Sequence, residues 1–190
     1  MESAKSGPER VLLNALVSTQ YGQFEMVWHP GDLVFGGNFG EVFAGQQNGL
    51  VGASASNGVY LNLASVNRGS AVRIVALDVE PPLDKEPWED IVEVSVVVPP
   101  GSDPHWTSWN AETGGALELP SGSYRLRASE RGRDEAHADP DHPVGTDVYL
   151  IQIWPELPRP DEVLKVTSED AKYWHSENGW GRWPVMNSCD

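Results

Sequence analysis

Ile91-Val92-Glu93-Val94-Ser95-Val96-Val97-Val98 is the stretch on which the fold turns. Val92, Val94, Val96 and Val98 fall on one face of an extended chain, and Glu93 and Ser95 fall on the other. This is the two-residue period of a β-strand. The same alternation recurs on both sides. Val59, Leu61 and Leu63 alternate with Tyr60 and Asn62, as in a half-buried strand. Tyr124, Leu126 and Ala128 alternate with Arg125 and Arg127, just after the turn residues Pro120-Ser121-Gly122. Val11–Val17, Gln23–Trp28 and Ala71–Asp78 also read as strands. Val148–Trp154 is a longer apolar run, as a central strand covered on both faces would be, and Pro155 ends it. Six or more short strands between Gly-, Pro- and Asn-bearing turns predict an all-β fold, an antiparallel β-sandwich.

One helix is expected near the end. Thr167-Ser168-Glu169-Asp170 offers a capping hydroxyl with carboxylates in the first turn, where the helix dipole favours them. The helix would run through Tyr173 and Trp174, which would pack it onto the sandwich, and Gly179 would stop it. At 190 residues the chain suits one domain. The expected division is a flexible N-terminus over 1–10, the β-sandwich over 11–155, and a helix and tail over 156–190 packed on the same domain.

Acidic residues outnumber basic ones 28 to 13, a formal net charge of -15. Such a balance argues against direct binding to nucleic-acid backbones, since phosphates would be repelled. It favours a basic protein partner, which the field attracts. No stretch approaches the roughly 20 apolar residues of a membrane span, so no membrane partner is expected. The polar segment Met1–Arg10 has no signal-peptide character. Cys189 is the lone cysteine, so no disulfide framework is available and a cytoplasmic address is expected.

No motif announces catalysis. Phe35-Gly36-Gly37-Asn38-Phe39-Gly40-Glu41-Val42 has the look of the glycine-rich loop of protein kinases. Yet no lysine follows before Lys85, and the catalytic-loop and magnesium-binding motifs are missing, so a glycine-bearing hairpin turn is expected. Glu135, His137, Asp139, Asp141 and His142 have ligand chemistry without the spacing of a zinc or EF-hand site, and a proline-kinked loop is expected there. There is no Gly-x-Ser-x-Gly elbow, and Cys189 lies in a terminal tail without a base. His29 reads as a strand-end residue. Neither a metal nor an organic cofactor is expected, and no enzyme.

The acidic stretches carry the functional reading. Asp78, Glu80, Asp84, Glu86, Glu89, Asp90 and Glu93 fall within one short span, much of which Pro81, Pro82 and Pro87 hold out of regular structure. Trp88 stands among them, either as an interface anchor ringed by charge or as a cap on the core. A second stretch, Glu130-Arg131-Gly132-Arg133-Asp134-Glu135, mixes signs and could instead form an internal network. The candidate partner-binding residues are Asp84, Glu86, Trp88, Glu89, Asp90, Asp134 and Glu135. A carbohydrate or small-molecule site is the alternative, with Trp106 and Trp109 in Asp103–Asn110 as stacking platforms or as a pair packed across a hairpin. A metal-dependent enzyme or sensor at His137, Asp139, Asp141 and His142 is the third.

Two resemblances accompany this reading. Tyr21-Gly22-Gln23-Phe24, Leu119-Pro120-Ser121-Gly122-Ser123-Tyr124-Arg125-Leu126 and Tyr149-Leu150-Ile151 resemble the competence-associated nuclease inhibitors (the competence protein J-like family). The resemblance covers about Val11 to Ile153. It implies a small β-sandwich that binds a nuclease and blocks it, in keeping with carboxylates standing in for phosphates. The helix and Trp-rich tail extend beyond that pattern. Separately, Trp88-Glu89-Asp90-Ile91-Val92-Glu93, Arg131-Gly132-Arg133-Asp134-Glu135, Tyr149–Pro155 and Ala171-Lys172-Tyr173-Trp174-His175 resemble a group of uncharacterised bacterial proteins. That second group brings no activity with it; the acidity and the first resemblance together point to an inhibitor or immunity factor that occludes the basic cleft of a nuclease or similar toxin.

Overall fold

A computed structural model describes residues 9–108 and 113–179. Its strands, numbered in chain order, form two sheets. The larger has the order β1 (Arg10–Ser18), β5 (Gly69–Ala76), β10 (Val148–Pro155), β9 (Gly122–Arg131), β6 (Asp90–Val98) and β11 (Glu162–Lys165). The smaller has the order β3 (Val51–Gly52), β4 (Gly58–Asn62), β2 (Gln23–Val27), β7 (His105–Ser108) and β8 (Gly114–Ala116). The all-β expectation holds, and every expected strand is present. The expectation of purely antiparallel sheets does not hold, because β10 runs parallel to β5, from Val148 opposite Ala71 to Ile153 opposite Ala76. The long connection from β5 to β10 allows it, since a parallel neighbour needs a crossover rather than a hairpin.

The valine face of β6 does what the alternation requires. Val92, Val94, Val96 and Val98 join Leu126, Ala128, Ile151 and Ile153 from the large sheet and Phe24, Met26, Val59 and Leu61 from the small one in a single buried cluster. β10 is central, between β5 and β9, as expected, but it is not fully covered on both faces: Tyr149, Ile151 and Ile153 are buried while Val148, Leu150 and Gln152 on the other face are half-buried. β4 departs from the half-buried expectation and is buried throughout. Tyr60, on its second face, packs with Val27, Val34, Val42 and Phe43 in a separate small cluster.

The opposite face of the large sheet is also covered. Glu93, Arg125 and Arg127 alternate with the core residues as a solvent-facing row would, yet all three are buried. The chain segments before β6 and after β10 lie over them and supply backbone acceptors. Arg127 Nη1 donates to the Pro81 carbonyl at 3.0 Å, and Arg125 Nη1 donates to the Pro160 carbonyl at 2.9 Å.

Among the described residues three short α-helices decorate the sheets. α1 (Phe39–Val42) begins at Asn38, whose Oδ1 accepts from the Gly40 N–H at 3.0 Å. The glycine-rich stretch is therefore a loop entering one helical turn rather than a hairpin. α2 (Arg133–Ala138) occupies part of what was expected to be loop. α3 (Glu169–Trp174) forms where expected, its Ser168 hydroxyl accepting from the Ala171 N–H at 3.0 Å, and it continues as a π-helical turn over His175–Gly179. Its packing differs from expectation in one residue. Ala171 is buried and Trp174 packs against the core cluster, but Tyr173 is exposed. Gly49 accommodates the helix end, because a Cβ there would lie 2.0 Å from the Trp174 carbonyl oxygen. Arg10 belongs to β1 rather than to a flexible end. The rest of that segment as far as residue 8, Trp109, and the tail with Cys189 lie outside the described residues. Among the described residues no helix is long and apolar enough to cross a membrane.

Candidate functional site

The register of β6 against β9 places Asp90 directly opposite Glu130. The chain entering β6 and the chain leaving β9 therefore emerge side by side, and the two acidic stretches meet. The Glu89 N–H donates to the Glu130 carbonyl at 2.8 Å, and the Gly132 N–H donates to Glu89 Oε2 at 2.8 Å. Across the same seam the Arg131 guanidinium lies 5.8 Å from the centre of the Trp88 ring, within cation–π range. α3 joins the group through Asp134, whose two oxygens accept from the Glu169 N–H at 3.0 Å and the Asp170 N–H at 2.8 Å. The carboxylate thereby satisfies donors that the first helical turn leaves open.

Of the expected docking residues, Asp84, Glu86, Asp134 and Glu135 are exposed, while Trp88 and Glu89 are half-buried. Asp90 is withdrawn from the set. It is fully buried, its Oδ1 accepting from the Thr167 and Ser168 N–H groups and its Oδ2 from the Ser168 hydroxyl at 2.6 Å. Its role is to tether the start of α3 to the sheet. Glu86 reaches the Lys165 ammonium at 3.5 Å, an exposed pair of small energetic weight.

Beneath this surface the mixed-sign stretch divides in two. Asp134 and Glu135 face outward, whereas Glu130 and Arg133 form an internal network. Buried Arg133 contacts Glu130 at 2.6 Å and Asp170 at 2.6 Å and donates to the Asn62 carbonyl at 2.8 Å. Burial, with Asp90 and Asp170 close by, pushes the Glu130 carboxyl up to about 7 against the pull of Arg133. A second network holds Glu93, which accepts from Arg125 Nε at 3.0 Å, Arg127 Nε at 2.7 Å and Arg159 Nη2 at 2.9 Å. Glu80 pairs with Arg127 at 3.3 Å. Glu93 thus belongs to the interior, and Glu80 is partly engaged with it.

Next to Asp134 a cavity of about 770 Å³ opens between α2 and α3, lined by Asp134, His137, Glu169, Asp170, Tyr173 and Trp174. Its walls combine carboxylates with aromatic rings, a lining suited to a guanidinium or ammonium group. Sequence reasoning missed this cavity. The capping pattern located α3 along the chain, but nothing local says that α3 lies against α2. At the far end of the helix His175 is buried, and its Nδ1 accepts from the Gly49 N–H at 2.9 Å. Burial, helped by Arg133 and opposed by Asp90 and Asp161, lowers its pKa to about 4, so the ring is neutral.

The other sequence candidates disperse. His142 is buried, its Nε2 at 3.1 Å from the Ser65 hydroxyl and its Nδ1 at 2.8 Å from the Pro143 carbonyl. Asp141 pairs with Arg68 at 2.7 Å, and His137 faces Asp170 at 3.5 Å. Among the described residues no group of three or more His, Cys, Asp or Glu is placed to hold a metal ion. Trp106 is half-buried and stacks on Phe24 with ring centres 5.9 Å apart and planes 11° apart. It lines a smaller pocket of about 360 Å³ with His105, Asp32 and Gly115.

No protein-family model matches the sequence, and no curated protein matches it. Solved structures of similar fold include crocagin biosynthetic gene J, 17% identical, with 80% of this chain and 100% of that one covered at a TM-score of 0.49. They also include ComJ, the inhibitor of the DNA degrading activity of NucA from Bacillus subtilis, 17% identical, with 79% of this chain and 100% of ComJ covered at a TM-score of 0.50. The chain is thus similar in fold to ComJ over the whole length of that protein.

Proposed function

We propose that this chain is an acidic protein-binding module with β-sandwich architecture, an inhibitor or immunity factor that occludes the basic cleft of a nuclease or similar toxin and catalyses nothing itself. The observation that carries the reading is the meeting of the two acidic stretches at one end of the large sheet, around Trp88 and beside an acidic, aromatic-lined cavity. The similarity in fold to an inhibitor of a DNA-degrading activity supports it. A nuclease cleft holds phosphates with lysine and arginine. Asp84, Glu86, Glu89, Asp134 and Glu135 offer those cations an alternative anionic surface that cannot be cleaved. Long-range attraction raises the association rate, and desolvated contact at Trp88 and Tyr173 slows dissociation.

The experiment is capture from the native host on immobilised protein, followed by a DNA-degradation assay of whatever is retained. The expected result is a basic nuclease whose activity falls when this protein is added and recovers with salt. A paired Glu86→Lys, Glu135→Lys variant should inhibit far less while folding normally. Capture of no protein, or of a nuclease whose rate this protein leaves unchanged, overturns the reading.

A further inference from the structure

Asp170 lines the cavity between α2 and α3, and its two carboxylate oxygens have different surroundings. Oδ2 is engaged by buried Arg133, with Nε at 2.9 Å and Nη2 at 2.6 Å. Oδ1 accepts no hydrogen bond from any described residue. It faces the exposed His137 Nδ1 at 3.5 Å, longer than the 2.7–3.2 Å of an ordinary N–H···O bond. Yet the Asp170 side chain is only 4% exposed. A carboxylate withdrawn from water with an acceptor left open carries a desolvation cost that a donor would relieve. Two more carboxylates stand beside it. Asp134 accepts from the backbone N–H groups of Glu169 and Asp170, neither of which is a cation, and Glu169 pairs with Lys172. The rest of the wall is aromatic. Tyr173 is 55% exposed, and its ring lies 5.2 Å from that of Trp174 with the planes at 77°.

We infer that this cavity is a receptor for one arginine side chain of the partner protein, its guanidinium donating to the open Asp170 Oδ1 and lying against the Tyr173 ring. The inference rests on the proposed inhibitory reading for the source of the arginine, and it names what a nuclease inserts there. The lining selects this occupant. Carboxylates repel an anion, and a neutral apolar group leaves Oδ1 unpaired. Between the two cationic side chains, the guanidinium is planar and weakly hydrated, so its edge reaches Asp170 and Asp134 together while its face covers a ring. An ammonium is a compact charge that holds its water more tightly and offers no flat face. The chain already uses arginine in both ways. Arg127 donates to Glu93 at 2.7 Å with its guanidinium 5.1 Å from the centre of the Trp154 ring, and Arg133 occupies the other oxygen of Asp170 itself. At about 770 Å³ the cavity falls within the range of roughly 300–1,000 Å³ typical of ligand sites, so it admits the side chain with part of the backbone that carries it. Asp134 belongs to both the cavity and the acidic surface, so a cation drawn to that surface arrives at the opening.

The blocked tripeptide acetyl-Gly-Arg-Gly-amide, titrated into the full chain and followed by amide NMR shifts, tests this. Saturable shifts centred on residues 134–137 and 169–174 are expected at millimolar peptide. The citrulline peptide keeps the shape without the charge and should bind at least about tenfold more weakly, and the lysine peptide at least about threefold more weakly. Tyr173→Leu removes the aromatic face, keeps apolar bulk, and should weaken the arginine peptide about threefold. Glu169→Lys, at a side chain 80% exposed, should weaken it about tenfold. Glu118→Lys, an equal change of charge beside Arg10 of β1, should alter it by less than about twofold. Absence of saturable binding, shifts scattered over the acidic surface, or equal binding of the citrulline or lysine peptide overturns the inference. So do contacts between Arg182 and Tyr173 in the peptide-free protein, which would make residues 180–190 of this chain the occupant. No nuclease enters these measurements, so failure here leaves the inhibitory role to be decided by the capture experiment.

Discussion

Replacing His175 by Asn isolates one proton-linked contribution to stability. The imidazole is buried and neutral, accepting from the Gly49 N–H, and its pKa falls from 6.5 to about 4 on folding. A depressed base binds fewer protons in the native state than in the unfolded chain between those two values. Stability from this group is therefore fully present above pH 6.5 and is lost as pH falls toward 4. At about 1.4 kcal/mol per pH unit the full term is about 3 kcal/mol, of which about 2 kcal/mol falls between pH 7.5 and pH 5. Asn places an amide oxygen near the Nδ1 position, keeps an acceptor for Gly49, and removes the titration. Glu130, raised to about 7, acts in the opposite sense over much of the same window, because its ionisation costs stability as pH rises. The wild-type profile alone is therefore ambiguous, and the difference between wild type and variant is the quantity to measure. Urea denaturation followed by tryptophan fluorescence at intervals from pH 5 to pH 7.5 should show the variant flatter by about 2 kcal/mol over that range. Parallel profiles would refute the assignment of a buried, neutral His175.

Three further outcomes follow from the geometry. Gly49→Ala drives a Cβ into the Trp174 carbonyl, a backbone atom that cannot swing aside, and should cost about 2–4 kcal/mol in urea denaturation through overpacking and loss of the His175 hydrogen bond. Glu93→Gln removes the charge shared by Arg125, Arg127 and Arg159 and should destabilise by about 3–5 kcal/mol, seen as a lower urea midpoint. Glu135→Lys, at an exposed site, should change stability by less than about 0.5 kcal/mol in the same assay yet slow association with the captured basic partner and weaken its salt dependence in surface-binding kinetics.

The strands of this protein are legible because apolar side chains at every second position can be buried on only one side of an extended chain. The valine run of β6 and the Leu126–Ala128 alternation of β9 both behave so. Ser168 capping a helix is legible for a similar reason, since the open N–H groups of a first turn are satisfied by the residue that precedes it. Periodicity reports polarity, however, and not solvent. Arg125 and Arg127 read as a wet face, but the segments bearing Pro81 and Pro160 cover them, and Glu93 supplies the charge that makes burial tolerable. β3, β8 and β11 are too short to leave a pattern.

The acidic surface shows the same division most clearly. Composition and local spacing determined that carboxylates gather in two stretches, because those are properties of neighbours along the chain. Which of them reach the surface was decided by the β6–β9 register, which carries the two stretches to one end of the sheet and turns Asp90, Glu93 and Glu130 inward while leaving Asp84, Glu86, Asp134 and Glu135 outside. Strand pairing is a contact between residues some forty positions apart. It is settled by what the whole core must bury, so no local stretch of sequence contains it.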